Sequence, residues 1–266
     1  MLRSLKEITG YTLLATDDVI GHCKDFLFDD GLWVVRYMVA DTGKWLTHHE
    51  VLITPSSLKE PDWSTEQISV NLTHDQIEAS PPLEKHAPVS REYEIAFHEY
   101  YDQAFYWLGA DLREGRPDEQ GVIQPIEDLP DIEELSDEDE VVTAAKSEDT
   151  QDLEGKLRSA VEVMDYMVES KDGDAGRVED LIVDDLSWVI RYLVVDTGHW
   201  LPGKKVLVNP EWIESVTWAD QKVHVDLDQQ EIEKCPDYDA DAPVNREYEV
   251  RLYDYHGRPR YWERKE

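Results

Sequence analysis

Cysteine is almost absent: Cys23 and Cys235 are the only two in 266 residues, and no C-x-x-C occurs. A disulfide framework or thiolate metal site is therefore not expected, and a reducing compartment is the default. Long apolar runs are missing too. The longest, Trp33 to Ala40, is short and interrupted by Arg36, so no membrane span is expected. The opening M-L-R-S-L-K-E-I-T-G lacks the apolar stretch of a secretory signal, which points to a cytoplasmic location. Basic residues are scarce, 26 against 60 acids, giving a formal net charge of −34. Such a surface repels nucleic-acid phosphates and anionic lipid, so neither is an expected partner. A basic protein partner, solubility or a salt-adapted cytoplasm each fits the acidity. Glycine is sparse at 13 residues. There is no P-loop, G-x-G-x-x-G, H-E-x-x-H or G-x-S-x-G, and no cofactor, metal or catalytic residue is assigned.

What is present is a duplication. Residues 2–107 align without a gap on 157–262, and 39 of the 106 pairs are identical. L-R-S at 2–4 returns at 157–159, and A-P-V followed by R-E-Y-E (87–94) returns at 242–249. The cysteines fall opposite Val178 and Ser80, so neither is a shared feature. Hydrophobic residues make up 41% of the chain, enough for real cores. The expected division is repeat 1 at 1–109, an acidic linker at 110–156 and repeat 2 at 157–266. The linker carries seventeen acids against four bases and too few large apolar residues for a core. Ser136 and Asp139 have capping-box spacing, which would allow a short helix near 137–147.

Each repeat reads as all-β. F-L-F-D-D and L-I-V-D-D are strands ending in acidic turns. W-V-V-R-Y-M-V-A follows, rich in β-branched and aromatic residues. V-L-I-T-P and V-L-V-N-P, then I-S-V-N-L and V-H-V-D-L, complete five or six short strands suited to a small barrel. Thr73-x-x-Gln76 and Asp228-x-x-Glu231 have the spacing of capping boxes and each start one helical turn, closed by Pro81 and Pro236.

Asp-Thr-Gly occurs twice, at 41–43 and 196–198, as it does in two-lobed aspartic proteases. A catalytic dyad needs two carboxylates sharing a proton among small neighbours. Here Lys44-Trp45 and His199-Trp200 follow, a lysine that would keep the carboxylate ionised and tryptophans that crowd the site. The reading adopted is a hairpin turn, in which Asp41 and Asp196 cap and Gly43 and Gly198 take positive φ. K-D-G-D-A-G at 171–176 lacks the later ligands of a calcium loop, and His48-His49 has no counterpart in the other copy. The shared aromatics Tyr100, Tyr106 and Trp107, with Tyr255, Tyr261 and Trp262, are the candidate interface. Through them the repeats are expected to pack as an internal pseudo-dimer.

The string G-(x)3-D-Φ-Φ-Φ-D-D, then W-Φ-Φ-R-Y-Φ-V, D-T-G-x-W-L and V-L-Φ-x-P, resembles the PRC-barrel family. It is legible at 21–55 and again at 176–210. The resemblance implies two tandem β-barrels of about six strands. The family is named for the cytoplasmic domain of the H subunit of the photosynthetic reaction centre, and it also supplies a domain of a ribosome maturation factor. In both it is a protein-binding module. The function implied is a non-enzymatic bacterial adaptor or scaffold with a protein partner. A reaction-centre accessory protein, or a small-ligand protein or enzyme with its site between the repeats, is the alternative.

Overall fold

A computed structural model of the chain describes residues 1–43, 46, 50–83, 89–108, 116–117, 123–124, 156–198, 201–240 and 242–263. Lys44-Trp45, His48-His49, His199-Trp200 and the proposed helix near 137–147 lie outside the described residues. Repeat 1 contains β1 (Leu2–Ser4), α1 (Leu5–Ile8), β2 (Thr12–Leu14), β3 (Val19–Asp29), β4 (Val34–Asp41) and β5 (Glu50–Ile53). β6 (Gln67–Ser69), α2 (His74–Glu78) and α3 (Arg91–Tyr100) follow. Within the intervening segment β7 (Arg116–Pro117) pairs with β8 (Ile123–Gln124). Repeat 2 contains β9 (Leu157–Ser159), α4 (Ala160–Val163), β10 (Met167–Ser170), β11 (Gly173–Asp184), β12 (Ile190–Asp196) and β13 (Lys205–Val208). It ends with β14 (Ile213–Thr217), β15 (Lys222–Val225), α5 (Gln229–Lys234) and α6 (Arg246–His256).

The protein is mainly β, in two sheets of matching order, β5-β4-β3-β2-β6 and β13-β12-β11-β10-β15-β14. Repeat 1 keeps the β14–β15 pairing as isolated bridges, Leu58 to Val70 and Asp62 to Gln67, in the same register. Neither sheet closes into the expected barrel among the described residues. Proline explains where the ladder stops. Pro55 and Pro210 follow the edge strands β5 and β13, and each opens a 3-10 turn instead of continuing the ladder. The turn carries the chain to the opposite edge, and each sheet stays open among the described residues.

The first strand of each repeat pairs in the other repeat's sheet. β1 lies antiparallel to β11, with Leu2 opposite Asp184 and Ser4 opposite Ile182. β9 lies antiparallel to β3, with Leu157 opposite Asp29 and Ser159 opposite Leu27. The two registers are the same pairing shifted by one repeat. Between them Val34 bridges Val189, Val35 N–H donates to Trp188 C=O (2.9 Å) and Ile190 N–H donates to Trp33 C=O (2.7 Å). One continuous core runs through both repeats, from Leu5 and Phe26 to Ala160 and Val183. The boundaries 1–109 and 157–266 therefore mark sequence repeats, while each sheet is completed by residues from the other.

Two helices interrupt the all-β expectation. α3 and α6 run ten and eleven residues and are N-capped by Ser90 and Asn245, whose side chains accept the N–H of Tyr93 and Tyr248. α6 closes on Gly257 with φ +61°. Their buried faces include a glutamate, Glu94 or Glu249, in mid-stripe, which breaks the apolar periodicity that would mark a helix in the sequence. The capping boxes at Thr73/Gln76 and Asp228/Glu231 form as their spacing implies.

Gly21 and Gly176 explain the first residue of the repeated motif. Their φ values are +140° and +118°, and a Cβ at either would lie 2.0 Å from the carbonyl oxygen of Asp41 or Asp196. Gly43, by contrast, has φ +65° and open space around it. Gly21→Ala and Gly176→Ala should each cost roughly 2–4 kcal/mol, whereas Gly43→Ala should cost only about 1 kcal/mol. Urea midpoints of the three variants check this, and equal losses would contradict it.

Candidate functional site

In each repeat the R-E-Y-E segment folds so that its first and last residues face the sheet on one helical turn. Glu94 is buried and accepts hydrogen bonds from Tyr37 Oη (2.9 Å), Tyr106 Oη (2.7 Å) and Arg91 Nη1 (2.8 Å). Glu249 accepts from Tyr192 Oη (2.8 Å) and Tyr261 Oη (2.8 Å), with Arg246 Nη1 at 3.0 Å. Arg91 then covers the Trp107 ring at 3.9 Å and Arg246 the Trp262 ring at 4.0 Å. From the sheet, Arg36 and Arg191 stack on Tyr106 and Tyr261 at 4.1 and 4.3 Å. Burial pushes the Glu94 carboxyl up, and Arg91, Tyr106 and Tyr37 pull it back. Burial also pushes the Tyr37 and Tyr106 hydroxyls well above their ordinary value, next to the Glu94 charge. Each node pins a helix to its own sheet.

This fixes the place of the candidate interface aromatics. Tyr106 and Trp107, with Tyr261 and Trp262, pack inside their own repeats, and the repeats meet instead through the exchanged strands and Trp33 and Trp188. The reason is chemical: the phenol and indole rings are held by a glutamate and an arginine of the preceding helix. Tyr100 and Tyr255 are about two-fifths exposed, at 40% and 39%, and donate their hydroxyls to the carbonyls of Gln76 and Glu231.

The exchange creates a groove that the sequence reading did not locate. It encloses about 710 Å³ between the start of repeat 1, the outer face of the repeat 2 sheet and the segment before α6. Leu2, Ile182, Val194 and Val244 give it apolar lining, and Tyr238 stands at one wall. On its rim Glu179 is bracketed by Lys205 (2.6 Å) and Lys6 (3.4 Å). Burial raises the Glu179 carboxyl, but the two lysines outweigh it and hold the group below its ordinary value. Beneath, Asp180 is pushed up by burial while it accepts from Ser4 Oγ (2.5 Å) and Lys6 N–H (3.0 Å). The only sequence signal for the groove is the L-R-S that starts both repeats, outside the barrel pattern.

The Asp-Thr-Gly turns sit in separate sheets, where Asp41 pairs with His22 and Glu50 and Asp196 with Arg177 and Lys205. Asp41 Oδ1 accepts Gly43 N–H and Asp196 Oδ1 accepts Gly198 N–H, both at 2.9 Å, with φ +65° and +60° at the glycines. The repeat 2 turn lines a second cleft of about 410 Å³ with Asp174, Arg177 and Gln229. Among the described residues, His74, Asp75 and Glu78 bring three metal-capable atoms within 4.8 Å of one another. Repeat 2 has Gln229, Gln230 and Glu233 there, so the set is not shared. Cys23 and Cys235 are buried free thiols, their pKa raised by burial. No described helix is long and apolar enough to cross a membrane. No family model matches the chain, and no curated protein matches it.

His98 distinguishes the nodes. The single proton of the Tyr37 hydroxyl goes to Glu94, so Tyr37 Oη accepts from His98 Nε2 at 2.9 Å. Repeat 2 places Tyr253 at this position. Burial pulls the His98 imidazole from its ordinary value down to about 4, with Arg91 and Arg36 adding to it against backbone contacts at Ala104 and Gln103. A lowered histidine contributes stability that is present above its unfolded pKa and lost as pH falls from about 6.5 to about 4. His98→Tyr should therefore gain on the wild type, by up to roughly 3 kcal/mol, as pH falls through that window. Paired urea titrations at several pH values check this. A pH-independent difference would rule it out.

Proposed function

We propose that the protein is a non-enzymatic adaptor that seats a partner protein in the groove beside the exchanged strand. The observation that carries the reading is the groove's composition. Leu2 and Val244 bring apolar side chains to it beside charges already compensated between Lys6, Glu179 and Lys205, and its walls come from both repeats. A surface of that kind favours side-chain packing over bond-making chemistry. Of the titratable groups shared by both repeats, Glu94 with Tyr37 and Tyr106 and Glu249 with Tyr192 and Tyr261 are spent in holding helices to sheets. The net charge of −34 favours a partner with a basic segment around its apolar anchor.

The module in this reading is of PRC-barrel type, used twice. Support comes from the repeated motif, the matching sheet orders and the sheet edges joined by a short proline turn. In the same reading the repeats form a pseudo-twofold pair within one chain, supported by the two like registers of exchange. One observation favours a second reading: about 710 Å³ is also a volume that small ligands occupy.

A photoreactive phenylalanine in place of Tyr238 tests the reading in extracts of the native cell. The expected result is a discrete protein adduct that Val244→Asp removes and that the same reagent at Asp220, outside the groove, does not give. Absence of any adduct, or an adduct indifferent to Val244→Asp, would refute the adaptor reading and leave the small-ligand one.

A further inference from the structure

We infer that the seam between the repeats selects an unlike repeat and rejects a like one, so that the chain closes on itself instead of joining copies end to end. The hydrogen bonds that recur in both halves of the seam cannot make that choice. Arg3 to Asp185 matches Arg158 to Asp30, and Ser4 to Asp180 matches Ser159 to Asp25. Lys6 N–H to Asp180 matches Val161 N–H to Asp25, and the Trp33 and Trp188 carbonyls accept equivalent N–H groups. Every acceptor and every Arg, Ser and Trp here is the same residue in both repeats. A repeat paired with a copy of itself would make the same set, which is the condition for an isologous contact.

The apolar residues beneath those contacts do differ, and they differ in compensating directions. α1 packs on β11 and α4 packs on β3. α1 begins with Leu5, and the strand it covers buries the smaller Leu181 and Val183. α4 begins with Ala160, and the strand it covers buries the larger Phe26 and Phe28. Helix start and covered strand thus trade volume in opposite directions in the two halves of the seam. All six side chains are fully buried in the one core that spans the seam. A pair of two repeat 1 copies would set Leu5 on Phe26 and Phe28 and overfill the seam twice. A pair of two repeat 2 copies would set Ala160 on Leu181 and Val183 and leave two cavities. At the edge, Lys6 meets Glu179 in the unlike pair, whereas in a repeat 1 like pair it would meet Lys24. That exposed charge adds little; the volumes decide.

The consequence is closure. Like pairing leaves the second repeat of each chain unsatisfied and strings chains into open assemblies. Unlike pairing satisfies both repeats within one chain, and the tether between Leu108 and Lys156 favours the partner on the same chain.

The full chain with a protease site between 125 and 150 is folded, cleaved, equilibrated in moderate urea and returned to buffer. Native mass spectrometry then distinguishes the three pairs, because the halves differ in mass. The unlike pair should exceed the statistical mixture by at least about tenfold. A statistical mixture, or halves that run singly, would overturn the inference. The uncut chain gives an independent measurement by light scattering. Wild type should stay monomeric at all concentrations. Leu5→Ala with Lys6→Val gives the start of repeat 1 the residues of repeat 2, seats alanine on Phe26 and Phe28 in a like pair, and should produce dimers and longer strings. Strings from the wild type, or a double variant as monomeric as the wild type, would equally overturn it.

Discussion

Two carboxylates, the half-buried Asp25 and the buried Asp180, hold the arrangement together. Each accepts a serine hydroxyl and a backbone N–H from the start of the other repeat, Ser159 with Val161 and Ser4 with Lys6. The same serines accept the N–H of Glu162 and Glu7 and so cap α4 and α1. A single side chain therefore starts a helix in its own repeat and satisfies a buried charge in the other. Burial raises both aspartates, and the contacts from the exchanged segment are what offset it. Without that segment each sheet would keep an aspartate with most of its donors gone, at a cost of several kcal/mol. Neither repeat is complete alone.

The crossing point follows from the same constraint. Trp33 and Trp188 both adopt φ +57°, a left-handed conformation that is uncommon for a bulky residue. It aims each carbonyl across the seam to an N–H of the other repeat, at Ile190 and Val35. The turn is held from behind by Asp29 and Asp184, which accept N–H groups at Gly31, Leu32 and Leu186. Such backbone strain persists only where the surroundings over-determine it. Here the determinants are residues identical in the two repeats, Asp29/Asp184, Trp33/Trp188 and Val34/Val189. The core beneath is free to vary as long as summed volume is kept.

Local features were legible in the sequence and composite ones were not. The duplication, the capping boxes and most strands follow from periodicity and turn chemistry within a few residues. α3 and α6 escaped because their buried stripe is built round Glu94 or Glu249, whose burial is tolerable only once two tyrosines and an arginine converge on it. The exchange escaped for a different reason. L-R-S reads the same whether it pairs in its own sheet or in the neighbour's, since local propensity carries no information about which copy of an identical strand it meets. The groove inherits that ambiguity, because one wall is residues 2–7 of the first repeat. Barrel closure does not follow from the strand count, because Pro55 and Pro210 end the ladder just after β5 and β13.

The groove and the seam are one object. Leu2, Ser4 and Lys6 line the groove with one side of the exchanged segment, while Leu5 and the Ser4 hydroxyl fix that segment in the seam. The Glu249 node sets the other boundary, since it holds α6, and with it the segment through Val244, against the sheet. A molecule seated there touches both repeats and is lost if they part. Its binding energy then adds directly to the free energy of pairing, by the same linkage that lets any ligand of the native state stabilise it. Coupling of this kind runs both ways: whatever tightens the seam improves the groove, and whatever fills the groove closes the seam. A binding surface built inside one repeat would have no such connection.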